Sequence, residues 1–320
     1  MNRFPAIFLF ISLVLMSCNS ESKLENTISK IDIDLVVERF DQAFTNATAQ
    51  DLPKLKETYP FMFSKRFHDS IWLKRMRDTL QIALSNEVEK AHGNLGQTEL
   101  EIESLFKHLK YYYKEFKTPR VITVAEYVDY RNKTIVTDSI VLISLTNYLG
   151  ADHEYYQNIH QYVAENLKPD QVVPDLADNY ARKSIYQNRR KTLLDEMIYS
   201  GKVLYFKDIM LPTISDERKI GYSTNELEWA RLNEESIWQY FIERELLFST
   251  DNKLPGRFIN PAPFTKFNLE LDSESPGRLG QYLGWQIVRA YADNNDVSLQ
   301  DILGLDAETL FNNSKFKPRK

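Results

Sequence analysis

The chain has 320 residues, 43% of them hydrophobic and 12% aromatic, enough for a sizeable core without covalent help. Its 45 acidic side chains outnumber the 40 basic ones, the two signs are interleaved, and no basic stripe or RNA-binding aromatic motif is present, so nucleic acid is excluded as a partner. The only cysteine, Cys18, leaves no disulfide within the chain and no thiolate metal site.

Residues 1–17 read as a signal peptide: Arg3 supplies the positive start and Ile7 to Met16 an apolar stretch too short to span a bilayer. Leu15-Met16-Ser17-Cys18 has the pattern of the bacterial lipobox, in which the thiol is acylated and the chain is cut ahead of the cysteine. Cys18 is therefore the expected lipid anchor, since two or more acyl chains hold a protein stably on a membrane. An ordinary cleaved signal peptide with an incidental cysteine, or an uncleaved anchor, is the plainer alternative. No later window is apolar enough for a second span, which places the rest of the chain outside the cytoplasm as a soluble body.

Residues 18–29 are polar and read as a lipidated terminus with a short tether, and residues 30–320 as one domain. The alternation of Ile31, Ile33, Leu35 and Val37 predicts a strand. Helical spacing follows in Trp72, Leu73, Met76, Leu80 and Leu84, then in Leu100, Ile102, Leu105, Phe106, Leu109 and Tyr113, each set predicted to form a buried stripe. The β-branched runs 121–124 and 139–145 predict a hairpin or small sheet. Beyond Gly150 the pattern is helical again, with an especially apolar helix through Leu193, Leu194, Met197, Ile198, Val203, Leu204 and Phe206. Ser275-Pro276-Gly277-Arg278 reads as a helix start capped by Ser275, with Leu279, Leu283, Ile287 and Tyr291 on one face. The fold class is α+β, predominantly α-helical, with a division into two subdomains near Pro119 as the alternative.

Familiar catalytic patterns are missing. His153-Glu154-Tyr155-Tyr156-Gln157 lacks the second histidine of a His-Glu-x-x-His zinc helix, and His160 is too far along a helix to share an ion with His153. His153 then reads as a solvated residue of an amphipathic helix, and His68, His92 and His108 have no ligand spacing. The pairs Asp195-Glu196 and Glu234-Glu235 would point apart on a helix and read as solvated surface. No catalytic residue, metal ligand or cofactor is assigned.

Three segments, Asp195–Pro212, Ser236–Glu243 and Glu274–Arg289, together with Met76–Leu80 and Ile220-Gly221-Tyr222, resemble the GldB family of gliding-motility lipoproteins of the Bacteroidetes. The resemblance implies a lipid-anchored envelope component needed for movement over surfaces, with other gliding or secretion machinery proteins as partners. The family in turn is distantly similar to predicted zinc peptidases, in which His-Glu-x-x-His is followed by a helix reading Glu-Gly-x-Ala-x-Tyr-Phe. Here Ser200-Gly201-Lys202-Val203-Leu204-Tyr205-Phe206 matches that helix with serine at the glutamate ligand, and the counterpart of the first motif falls near Asp178-Asn179-Tyr180-Ala181-Arg182, without either histidine. The resemblance implies a zincin-like scaffold without its metal and a non-enzymatic assembly role. An envelope-polymer hydrolase and a periplasmic binding module for an exported adhesin are the alternatives. Arg278 and Arg289, planar forks suited to a carboxylate inside the fold or on a partner, are the candidate partner contacts. The residues after Cys18 lack an acidic run, which favours a periplasm-facing anchor, in the outer rather than the inner membrane.

Overall fold

A computed structural model describes residues 23–261, 266–267, 272 and 274–320; the leader and Cys18 lie outside them. The folded body begins earlier than the tether reading allowed. Residues 23–28 are helical (α1), Ile28 is 1% exposed, and Lys107 donates to the Ser29 carbonyl at 3.1 Å, so this turn is docked on the domain.

The strand expected over residues 31–37 is confined to its end, β1 (Val37–Arg39), because the alternation upstream reports burial and not a pairing partner. β2 (Arg120–Val124) lies parallel to β1 and also to β4 (Ile140–Ser144), with Arg120 opposite Ile140 and Val124 opposite Ser144. The predicted hairpin between these two runs is thus a parallel pair, which no tight turn can join. The hairpin is instead β3–β4, in which β3 (Thr134–Val136) is antiparallel to β4, and the sheet order is β1-β2-β4-β3.

One face of the sheet carries Val121, Val141 and Ile143 into the central core, formed with α6 (Gly96–Tyr112), α8 (Val172–Ser184) and part of α9 (Leu193–Met210). Its other face carries Ile122, Ile140 and Leu142 under α2 (Phe40–Thr45), α3 (Leu52–Thr58) and α4 (Asp69–Met76). The first helical stripe breaks here: Asp78 caps α5 (Thr79–His92) by accepting from the Leu80 and Gln81 amides at 2.8 and 3.1 Å, and Leu80 is exposed. Leu100 is also exposed, although Ile102, Leu105, Phe106 and Leu109 are buried as expected.

α9 explains its own composition. Val203, Phe206 and Met210 enter the central core, whereas Leu193, Leu194, Met197 and Ile198 enter a second core shared with α11 (Thr224–Leu232), α12 (Glu234–Glu243), α13 (Leu254–Phe258), α14 (Leu279–Asn294) and α16 (Ala307–Ser314). A helix covered on all sides must be apolar on all sides. Thr192 and Asp195 start it with reciprocal capping bonds. α14 runs along α9 and does not start at Ser275: its N-cap is Arg278, at φ +59°, with no side-chain cap. Gly277 packs so closely on the Pro261 carbonyl that a Cβ would not fit, and its own carbonyl accepts from the Tyr222 hydroxyl, which holds residues 275–277 out of helical geometry.

Lys202 on α9 is 0% exposed, with its ammonium placed on the Leu303 and Leu305 carbonyls at the end of α15 (Leu299–Gly304). Burial lowers its pKa to about 8, partly opposed by Asp306. The unfolded chain, with lysine near 10.4, binds the extra proton between those values, so stability rises with pH across that window. The expected result is a gain of about 2 kcal/mol from pH 7.5 to 9.5 in denaturant melts, flattened by Lys202→Met. Equal slopes in both proteins would refute this assignment.

Candidate functional site

Converging charged chemistry lies where α8, α9 and the start of α14 meet. Asp175, Asp178 and Arg182 recur every three or four residues on one face of α8, and Ser200, Val203, Leu204 and Lys207 do so on α9. Together with Lys133, Asn166, Lys219 and Ile220 of α10 (Asp216–Ile220), Gly221, Pro261, Arg278 and Gln281, they line a cavity of 260 Å³. Five cationic side chains face two carboxylates in this lining.

Local backbone chemistry sets the rim. Gly221 ends α10 at φ +76°, and a Cβ there would fall 2.7 Å from Arg278 Nη1. Arg278 Nη1 donates to the Ile220 and Gly221 carbonyls at 2.7 and 3.0 Å, so a non-glycine residue at 221 would displace it. Asn166 Nδ2 also donates to the Gly221 carbonyl, at 3.1 Å.

Each carboxylate in the lining is already paired. Asp178 accepts from Arg182 Nε at 2.5 Å and lies 3.3 Å from Lys207 Nζ. Burial pushes its pKa up, but Lys207 and Arg182 overcome this and hold it below the usual carboxylate range. Asp175 pairs with Lys133 and accepts from the Tyr148 hydroxyl at 2.8 Å. Lys207 and Lys219 are each 6% exposed, and Lys207 Nζ also donates to the Lys219 carbonyl at 3.1 Å.

Behind the cavity, Arg289 is locked to two carboxylates. Its Nε and Nη2 donate to Asp208 at 2.7 and 2.8 Å, and its Nη2 and Nη1 to Asp216 at 2.9 and 3.1 Å. Asp208 also accepts from Trp285 Nε1 at 2.7 Å and Lys219 Nζ at 3.0 Å, and the Arg289 guanidinium stacks 3.7 Å over the Trp285 ring. The two candidate arginines therefore differ. Arg289 has intramolecular carboxylates, whereas Arg278 has carbonyls and, among the described residues, no carboxylate.

The readings of His153, Glu234 and Asp195 as solvated residues need correction, and His92 proves to be a core residue. His153 lies off any α-helix: its ring caps the 3₁₀ turn Glu154–Tyr156 and stands 3.3 Å from Glu87. His92 is buried with Nε2 2.8 Å from the Tyr148 carbonyl, and burial lowers its pKa. Glu234 is not solvated surface: it is 1% exposed and accepts from the Tyr282 hydroxyl at 2.7 Å and the Arg319 amide at 3.0 Å. Asp195 is used in the cap of α9. Among the described residues, no group of three or more His, Cys, Asp or Glu side chains is placed to hold a metal ion.

The sequence reading passed over Lys207, Lys219, Asp208 and Asp216. A signal for two of them was present, because Lys207 and Asp208 interrupt an otherwise apolar helix, and buried charges of that kind require partners. Asp178 and Arg182, the ends of the segment near which the first peptidase motif was expected, and Ser200, at the expected glutamate position, line the same cavity.

The family model described as gliding motility protein GldB matches residues 21–318. No curated protein and no solved structure matches the chain.

Proposed function

From the premise that the chain belongs to the gliding motility protein GldB family, and so is a gliding-motility-related protein, we propose that it is a lipid-anchored, non-enzymatic component of the gliding and secretion machinery. The observation that carries the non-enzymatic part is the content of the cavity. Where the resemblance to zinc peptidases would put two histidines and a glutamate, the cavity holds Asp178, Arg182 and Ser200. Catalytic zinc needs three His, Asp, Glu or Cys ligands and an open position. A carboxylate already neutralised by Arg182 and Lys207 does not fit that ion, so no metal-dependent step is derived.

Anchoring rests on Cys18. No helix among the described residues is long and apolar enough to cross a membrane. Only five residue steps separate Cys18 from α1, a reach of at most about 18 Å at full extension. The reading is therefore of a body held against the bilayer, with the periplasmic face of the outer membrane favoured.

In gliding cells, Cys18→Ser is expected to abolish lipid labelling, move the protein to the soluble fraction and stop movement. Retention in the membrane fraction with normal gliding would overturn the anchor. Incubation of the mature protein with peptidoglycan and with unfolded polypeptide is expected to release neither reducing ends nor new amines. Release of either would restore the hydrolase reading.

A further inference from the structure

We infer that the cationic cavity is a binding site for the C-terminal carboxylate of a polypeptide. The inference rests on the non-enzymatic reading of that cavity and supplies the ligand chemistry which that reading leaves open.

The lining has donors left over. A guanidinium carries five N–H groups, and Arg278 uses only Nη1 within the fold, so Nε and Nη2 have no partner among the described residues. That Nε–Nη2 edge is the fork that receives a carboxylate through two parallel bonds. The Ser200 hydroxyl, on a residue 8% exposed and lining the same space, is likewise without a hydrogen-bond partner among the described residues. α14 is 16 residues long and has no side-chain cap, and its N-cap and third residue, Arg278 and Gln281, both line the cavity. The partial positive charge at that helix end therefore adds to the site.

Charge and size select the ligand. Lys207 and Lys219 hold positive charge in a nearly solvent-free wall, where it is screened less than at a surface. Asp178 takes up much of the Lys207 charge and Asp208 that of Lys219, so Arg278 is the guanidinium left for one negative charge, which favours a carboxylate over a phosphate. A cavity of 260 Å³ has room for one chain end and not for a folded surface. Val203, Leu204, Ile220 and Pro261 provide apolar wall for the terminal side chain.

The test is calorimetric or NMR titration of the full mature chain in detergent at low ionic strength. The probes are acetyl-trialanine as the free acid, its C-terminal amide, acetate and inorganic phosphate. The acid is expected to bind and to raise the melting temperature, with the amide and acetate at least about tenfold weaker, the equivalent of one charge-assisted hydrogen bond. Arg278→Gln is expected to lose binding by a similar factor. Ser200→Asp, which places a carboxylate among the cations, is expected to fold and to lose binding, and it decides the matter if Arg278→Gln fails to fold. No binding of the acid, equal binding of the amide or acetate, tighter binding of phosphate, or undiminished binding by folded Ser200→Asp would each overturn the proposal. None of these results depends on the anchor or on motility, so failure here is distinct from failure of the Cys18 prediction.

Discussion

Gly284→Ala is expected to abolish accumulation of folded protein. In an ordinary helix interior this change stabilises by up to about 1 kcal/mol, because alanine loses less entropy on folding. Here the sign reverses. A Cβ on Gly284 would lie well inside 3.0 Å of the Met197 carbonyl oxygen, and one on Gly201 would also lie inside that distance of the Gly284 carbonyl oxygen and stand 2.8 Å from the Trp285 amide. The obstacles are backbone atoms, so no rotamer change relieves them. α9 is fixed on one side by the central core and on the other by the second core. Parting α9 from α14 would disturb both, at a cost above the usual overpacking range of about 1–3 kcal/mol. Gly201→Ala is expected to behave alike, while Gly304→Ala, where a Cβ meets nothing within 4 Å, serves as the neutral control. Soluble yield and thermal melts decide it. A Gly284→Ala protein as stable as the wild type would mean that the helices do not cross at these glycines.

Arg289→Ala is expected to remove about 3 kcal/mol of stability, the lower end of the range for breaking a buried ion pair, since the side chain is 26% exposed. The loss leaves Asp208 with Lys219, and Asp216 with Arg231 and the more distant Lys219, as counter-charges, and removes the group stacked on Trp285. Arg289→Lys should recover little, because one ammonium cannot satisfy two carboxylates through parallel bonds. Loss of gliding in Arg289→Ala should follow the fall in abundance, and a motility defect at normal melting temperature would instead assign Arg289 to a partner. Arg278→Gln makes the contrast: it gives up two bonds to carbonyls and strands no carboxylate, so its stability loss should be smaller than its effect on binding.

The family and the predominantly helical class were legible in the sequence because each depends on neighbouring residues: a motif, a period of three to four. The burial of α9 was legible for the same reason, since apolar residues around most of its circumference announce a covered helix, whereas α14, read as apolar on one face, is buried on more than that face. The same local signals misplaced what depends on distant partners. Ile31 to Val37 alternates like a strand yet finds a ladder only over Val37–Arg39, and the runs at 121 and 139 are parallel neighbours with β3 contributing the hairpin. Met76 to Leu80 kept an apparent stripe across the break where Asp78 starts a new helix. Ser275 has the composition of a cap, but the fit of Gly277 against Pro261 moved the start of α14 to Arg278. The cavity was the least legible part of all. Its charges come from α8, α9, α10, the start of α14 and the residue ahead of β3, up to 156 positions apart between Lys133 and Arg289 behind it. Hydrophobic periodicity determines which face of a segment is buried, whereas only tertiary packing decides which buried charges meet, because that pairing is set by Coulomb energy and desolvation among residues the chain order keeps apart.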